Sequence, residues 1–253
     1  MAGCDVSSGE KGPSSLILAA RGSVLSGVFE MAMYPDEALQ RRRPLARSGS
    51  EYYRQSPKRL VDIALVVLSL PLVLPIMAVI TLALLIEGGN PFYAQDRLGR
   101  GGRRFRVWKF RTMVRDADAI LDDLLAQDPA LRREWNATQK LRNDPRITRV
   151  GKVLRRTSLD ELPQLFNILR GDMSIVGPRP MMPDQLELYG AHASAYFALR
   201  PGLTGLWQVS ARNDVDFSQR ARLDAVYERT LSFWQDMMLI LATFRVVLRG
   251  TGH

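Results

Sequence analysis

Hydrophobic and polar positions alternate unevenly along this chain, and one stretch, Ile63 to Ile86, is apolar throughout apart from Ser69 and Thr81. At about 1.5 Å per residue, a helix over this run is just long enough to cross a roughly 30 Å hydrocarbon layer. Pro71 and Pro75 lie near its middle. Each removes an intrahelical hydrogen bond, which predicts a break or a sharp kink. Basic residues flank both ends: Arg41 to Arg43, Arg47, Arg54, Lys58 and Arg59 before the run, and Arg97, Arg100, Arg103, Arg104, Arg106 and Lys109 after it. A spanning helix concentrates Lys and Arg at its cytoplasmic end. Bias at both ends favours a hairpin that dips into one leaflet and returns to the anionic cytoplasmic face. The alternative is an ordinary single span.

The pattern divides the rest of the chain. Residues 1–55 are rich in Gly, Ser and Arg without a sustained period, and read as a disordered or weakly structured basic arm. Residues 56–88 hold the re-entrant helix, and residues 89–253 form a cytoplasmic domain. Gly88-Gly89-Asn90-Pro91 forces a turn. Phe92–Gln95 and Phe105–Phe110 read as two strands joined at Gly99–Gly102, a hairpin that would hold Arg97, Arg103, Arg104, Arg106, Lys109 and Arg111 near a membrane surface. Arg115–Leu141 is charged and helix-prone, with Asp122 and Asp123 on a solvated face. Lys152–Leu169 is helical with a break near Thr157 and Ser158, and Met173–Met181 reads as a Gly/Pro loop. Gln185–Leu199 and Phe217–Leu248 are helical again. The last of these carries Phe233, Trp234 and Phe244, which suit an interfacial helix or a buried core helix equally.

Composition narrows the chemistry. The net charge of +9 over 253 residues raises nucleic acid as a partner, but much of that charge clusters beside the apolar run, where anionic lipid accounts for it. No zinc-finger spacing and no RNA-binding aromatic motif is present, so no nucleic-acid partner is expected. A single cysteine, Cys4, excludes a disulfide framework, and two histidines, His192 and His253, make a poor zinc site. A metal here would be a hard ion held by carboxylates, hence Mg2+. Nothing in the sequence decides for or against a homo-oligomer.

The sharpest local signal is Ser158-Leu159-Asp160-Glu161. One reading is a capping box, in which Glu161 satisfies the Ser158 amide and Asp160 is a favourable first-turn charge. The other is chemical: carboxylates at a helix start can hold magnesium beside a phosphate, or attack phosphorus to give an acyl-phosphate. Arg155 and Arg156 lie just before the pair, while Arg179, Arg200 and Arg212 sit in Pro- or Gly-stiffened segments that suit bidentate phosphate binding. Each could equally form a salt bridge. Gly99-Arg100-Gly101-Gly102 lacks dinucleotide-fingerprint spacing, and there is no Walker A sequence. Asp214-Val215-Asp216 matches the short Asp-x-Asp site of many glycosyltransferases, but without an α/β nucleotide-binding pattern around it.

Taken in order, Lys58-Arg59-Leu60-Val61-Asp62, Phe92 to Gly99, Lys109-Phe110-Arg111-Thr112-Met113, Arg155 to Asn167, Gly171 to Ser174, Val176 to Pro180, Arg200 to Gly205 and Trp207-Gln208 resemble the bacterial sugar transferase family, the monotopic polyprenyl-phosphate phosphoglycosyl transferases. The resemblance runs from about Lys58 nearly to the C-terminus. Glu134 to Thr138 and Gly205 to Gln208 resemble most the branch that transfers galactose-1-phosphate to initiate succinoglycan-type exopolysaccharide. The resemblance implies an α+β fold: a mostly helical, membrane-associated domain with a small β-hairpin and an N-terminal re-entrant helix broken at proline. It also implies a UDP-sugar and undecaprenyl phosphate as substrates at the cytoplasmic face of a bacterial inner membrane. Asp160 would be the nucleophile and Glu161 would assist, the two together holding Mg2+. Arg155, Arg179, Arg212, Lys109 and Arg111 would bind phosphate, and Lys58, Arg59, Pro71 and Pro75 would serve the membrane hairpin. Members commonly place Ser directly before the hairpin proline, whereas Leu74 precedes Pro75 here, with Ser69 the nearest hydroxyl upstream. The rival readings are an Asp-x-Asp glycosyltransferase using Asp214 and Asp216, which would release UDP, and a non-catalytic membrane adaptor of polysaccharide assembly.

Overall fold

The computed structural model describes residues 52–138, 141, 143–210 and 217–248. Helix α1, Pro57–Glu87, takes up the whole apolar run. It is the one described helix long and apolar enough to cross a membrane. The helical backbone is not broken at Pro71 or Pro75; both lie inside it. Burial explains why. Lys58, Asp62, Val66, Met77, Ile80 and Leu84 are buried at roughly helical spacing, so one stripe packs on the domain along the whole length. Each buried aliphatic side chain contributes roughly 1.5–3 kcal/mol, which offsets about 3 kcal/mol for a proline inside a helix. Ser69 does not cover a carbonyl freed by proline, since its hydroxyl donates to the Val66 carbonyl at 2.7 Å. The opposite face, including Leu68, Leu72, Val79 and Ile86, is exposed. Gly88, at φ 96°, ends the helix in a conformation that suits glycine.

Strands β1 (Phe92–Leu98) and β2 (Arg104–Phe110) form the expected antiparallel hairpin, with Tyr93 opposite Lys109 and Arg97 opposite Phe105. Its basic residues divide between two environments. Arg103, Arg104 and Arg106 are exposed, whereas Arg97, Lys109 and Arg111 line a cleft. The charged stretch that follows is two helices, α2 (Ala117–Gln127) and α3 (Pro129–Thr138), parted where Asp128 Oδ1 accepts from the Ala130 amide at 2.7 Å. Asp122 and Asp123 are exposed, as expected of a solvated face.

Helix α4 (Arg149–Thr157) is capped by the Thr148 hydroxyl, which accepts from the Gly151 amide. A short 3-10 turn, Leu159–Glu161, and helix α5 (Gln164–Arg170) come next. The expected loop at Met173–Met181 begins instead with strand β3 (Ser174–Val176), which pairs in parallel with β4 (Gly202–Thr204). Between them lie the short helices α6 (Leu186–Tyr189) and α7 (Ala193–Phe197). Helix α8 (Leu206–Ser210) precedes α9 (Phe217–Thr230) and α10 (Phe233–Leu248), which are separated at Leu231-Ser232. Helix α10 joins the core along one side: Gln235, Asp236 and Leu239 are buried, while Trp234, Leu241 and Phe244 are exposed.

The core consists of linked clusters in which α1 takes part. Val66 packs with Val107, Leu165, Ile168 and Met173, and Met77, Ile80 and Leu84 pack with Phe110 and Leu154. A polar node pins the start of α1. Lys58 Nζ lies 2.5 Å from Asp236 Oδ2, Tyr53 and Tyr227 donate to the same carboxylate, and Asp62 accepts from the Ser174 hydroxyl and the Ile175 amide. Arg59 donates to the carbonyls of Ile168 and Leu169 at the end of α5.

Candidate active site

The break between α4 and α5 builds the centre of the site. Ser158 adopts a left-handed conformation, φ 57°, and ends α4 with its amide on the Arg155 carbonyl at 3.2 Å. The next three residues turn as a 3-10 segment that carries Asp160 and Glu161. The capping box does not form, because Ser158 makes no side-chain cap bond. Glu161 is drawn away by stronger partners: its Oε1 accepts from Lys109 Nζ at 2.7 Å and from Arg179 Nη2 at 3.0 Å. Charge-assisted bonds of this kind outweigh a neutral cap.

Each cation is placed by a separate element. Lys109 comes from β2. Arg179 follows a backbone crossing in which the Gly177 amide donates to the Thr204 carbonyl at 2.9 Å and the Gly202 amide to the Pro178 carbonyl at 2.7 Å. A Cβ on Gly177 or Gly202 would collide with main-chain atoms, so this approach needs glycine. Arg155 projects from α4 and donates through Nε to the Thr112 hydroxyl at 2.9 Å. Gly151 allows α4 that close, because a Cβ there would strike the Thr112 carbonyl.

The two carboxylates differ in their surroundings. Burial alone would raise the Glu161 carboxyl, but Lys109 and Arg179 overcome it and hold the group down at about 2. Asp160 accepts no hydrogen bond among the described residues, and its ion-pair contact there is Lys109 Nζ at 4.0 Å. Burial raises its carboxyl above the ordinary range; Glu161 adds to that, and Lys109, Arg155 and Arg179 oppose it. One acid is therefore fixed in ion pairs, and its neighbour keeps its oxygens available.

Both face a cleft of about 1400 Å³. Lys109, Arg111, Arg155 and Arg179 line its polar end, and Leu72, Val73, Ile240 and Phe244 of α1 and α10 line an apolar part. Of the residues expected to bind phosphate, Lys109, Arg155 and Arg179 gather at the carboxylates. Arg111 lines the same cleft but donates to the Leu84 carbonyl of α1 at 3.2 Å. Arg212, Asp214 and Asp216 lie outside the described residues. Sequence reasoning passed over Arg97 and Gln95, which also line the cleft. Strand alternation with Lys109 was the signal that could have found them.

No group of three or more metal-ligating side chains exists among the described residues. Asp160 and the second oxygen of Glu161 nevertheless suit magnesium, which commonly takes one or two carboxylates and completes its shell with water and substrate phosphate.

Residues 53–250 match the model of the bacterial sugar transferase family, and the chain belongs to that family. It is 41% identical over 240 residues to the UDP-galactose-lipid carrier transferase of Erwinia amylovora, covering 94% of this chain and 50% of that protein. It is 45% identical over 208 residues to the undecaprenyl-phosphate galactose phosphotransferase of Salmonella typhimurium, covering 82% and 43%. With the exopolysaccharide production protein ExoY of Rhizobium meliloti it shares 47% identity over 191 residues, covering 76% and 83%. The chain thus spans about half the length of the first two relatives and most of the third.

Proposed function

We propose that this protein transfers hexose-1-phosphate, galactose or glucose, from a UDP-sugar to undecaprenyl phosphate, as the first membrane step of exopolysaccharide synthesis. The names of its relatives support the substrates. The observation that carries the mechanism is the division of labour between adjacent carboxylates, with Glu161 locked by Lys109 and Arg179 and Asp160 left available amid the same cations. Asp160 attacks the sugar-bearing phosphorus, UMP departs, and the sugar-phosphate stays on the carboxylate as an acyl-phosphate. An oxygen of undecaprenyl phosphate then attacks that phosphorus and the bond to Asp160 breaks, restoring the carboxylate. Lys109, Arg155 and Arg179 stabilise charge on the transferred phosphate, and we assign Arg111 and Arg212 supporting roles in phosphate binding. Asp160 and Glu161 would hold magnesium, which withdraws charge from the diphosphate when bound.

The exposed apolar face of α1 suits a monotopic seat at the cytoplasmic face of the inner membrane. Both ends of α1 bond to the domain, through Lys58 to Asp236 and through Leu84 to Arg111, which favours re-entry over spanning. The test is to incubate the full chain with UDP-galactose or UDP-glucose without lipid acceptor and map a sugar-phosphate adduct by mass spectrometry. The adduct is expected on the peptide holding Asp160. Asp160→Asn should lose turnover by a factor on the order of 10⁴ or more. Robust UMP release by that variant would end the covalent mechanism.

A further inference from the structure

Alternation along β1 puts Tyr93, Gln95 and Arg97 on one face of the hairpin, and the register places Lys109 on the same face opposite Tyr93. All four line the cleft. The end of β1 is stitched to the segment that follows Arg179. The Leu98 amide donates to the Met181 carbonyl at 3.0 Å, the Met181 amide donates to the Tyr196 hydroxyl at 3.1 Å, and that hydroxyl donates to the Leu98 carbonyl at 2.6 Å. Arg97 is half-buried there; burial first and the Arg179 cation second disfavour its charge, and Asp184 opposes them from beyond ion-pair distance. Arg179 has Glu161 as its counter-ion. Arg97 has none: it donates to the neutral Gln95 amide, and no carboxylate of the described residues lies within ion-pair distance of it. A partly buried guanidinium beside a second one is unfavourable unless an anion completes the pair. Arg97 is therefore a cationic group of the cleft that neither Glu161 nor Asp160 engages.

We propose that Arg97 binds the phosphate of the departing nucleotide, so that the cleft has separate cations for the two phosphates of the UDP-sugar; this rests on the phosphoglycosyl transfer proposed above. In the first half-reaction a bond forms between an Asp160 oxygen and the sugar-bearing phosphorus. The bond from that phosphorus to the bridging oxygen breaks, and its electron pair leaves with UMP as an extra negative charge. Arg97 meets that charge with a planar fork, oriented by Gln95. In the second half-reaction UMP has gone, and the phosphate of the lipid displaces Asp160 without help from Arg97. The two halves separate this role from a structural one.

The experiment uses the full chain in detergent as wild type, Arg97→Gln and Arg97→Lys. It measures the rate of adduct formation from UDP-sugar, the affinity for UMP by equilibrium dialysis, and discharge of accumulated adduct to undecaprenyl phosphate after nucleotide is removed. Arg97→Gln should slow adduct formation about 100-fold, the usual loss when one preorganised donor is removed. UMP binding should weaken about 10-fold or more, as for a charged group left without its partner, and Arg97→Lys should recover only part of either loss. Discharge should stay within about threefold of wild type, which also shows that the variant is folded. Equal slowing of both halves, or unchanged affinity for UMP, would overturn the assignment. If wild type forms no adduct, the covalent reading fails by itself, and UMP affinity still decides the role of Arg97.

Discussion

Replacing Glu161 by Gln tests the ion-pair node directly, because it preserves size while removing the charge that Lys109 and Arg179 share. Glu161 shifts from 4.5 to about 2 in the folded chain, and its side chain is 17% exposed, so solvent screening is weak. That difference corresponds to about 3 kcal/mol of stability carried by the ionised form. The value is an upper bound, since Asp160 stands 4.0 Å from Lys109 and would recapture part of the attraction. Because the folded value is depressed, the contribution is fully present above about 4.5 and is lost as pH falls from there through 2. Glu161→Gln lacks it at every pH. For a chain of this size the wild type should melt about 6–12 °C above the variant at pH 7, and the gap should shrink to about half at pH 3. Thermal unfolding followed by tryptophan fluorescence in one detergent at both pH values measures this. An equal melting temperature at pH 7, or a gap that does not change with pH, would show that the node adds nothing and that the carboxylate is merely tolerated.

Three further outcomes follow from the same geometry. With Glu161→Gln the repulsion on Asp160 disappears and Lys109 is freed toward it, so the acid limb of adduct formation should move to lower pH; a limb that stays put would deny the coupling. Arg179→Lys keeps the charge but loses the planar fork, and should cut turnover about 10-fold or more, whereas near-normal turnover would make Arg179 a loop salt bridge only. Cysteine labelling at Ser56 and Asn90 in intact cells should find both positions protected from a periplasmic reagent, and labelling of one alone would establish a full span.

Sequence pattern and structure agree where the signal is local. The apolar run became α1, the alternating segments around Gly99–Gly102 became the hairpin, and the break at Thr157-Ser158 is where α4 ends. The prolines do not interrupt the helix, because the penalty they carry is local, while the stripe from Asp62 to Leu84 that packs α1 on the domain is tertiary. Ser158 and Glu161 have capping-box spacing, but spacing cannot reveal that Lys109 and Arg179, 52 and 18 residues away in the chain, compete for the same carboxylate. β3 and β4 are too short to announce themselves, and each exists only because the other passes alongside through Gly177 and Gly202. Arg97 was hidden among other arginines of the hairpin. Its place depended on which face of β1 turned inward.

The node that joins Lys58 to Asp236 also sets a timetable for synthesis. The two partners are 178 residues apart, so the ammonium leaves the ribosome long before its carboxylate exists. At about 5–20 residues per second the interval is roughly 10–35 s. Well before it ends, Val107, Phe110 and Leu154 have been made and the stripe of α1 has its partners, but Lys58 and Tyr53 still lack the carboxylate that they share. The start of α1 therefore reaches its final bonds only when the last helix has been made. A version of this protein begun after Glu87 would lack part of its core, because α1 supplies Val66, Met77, Ile80 and Leu84 to it.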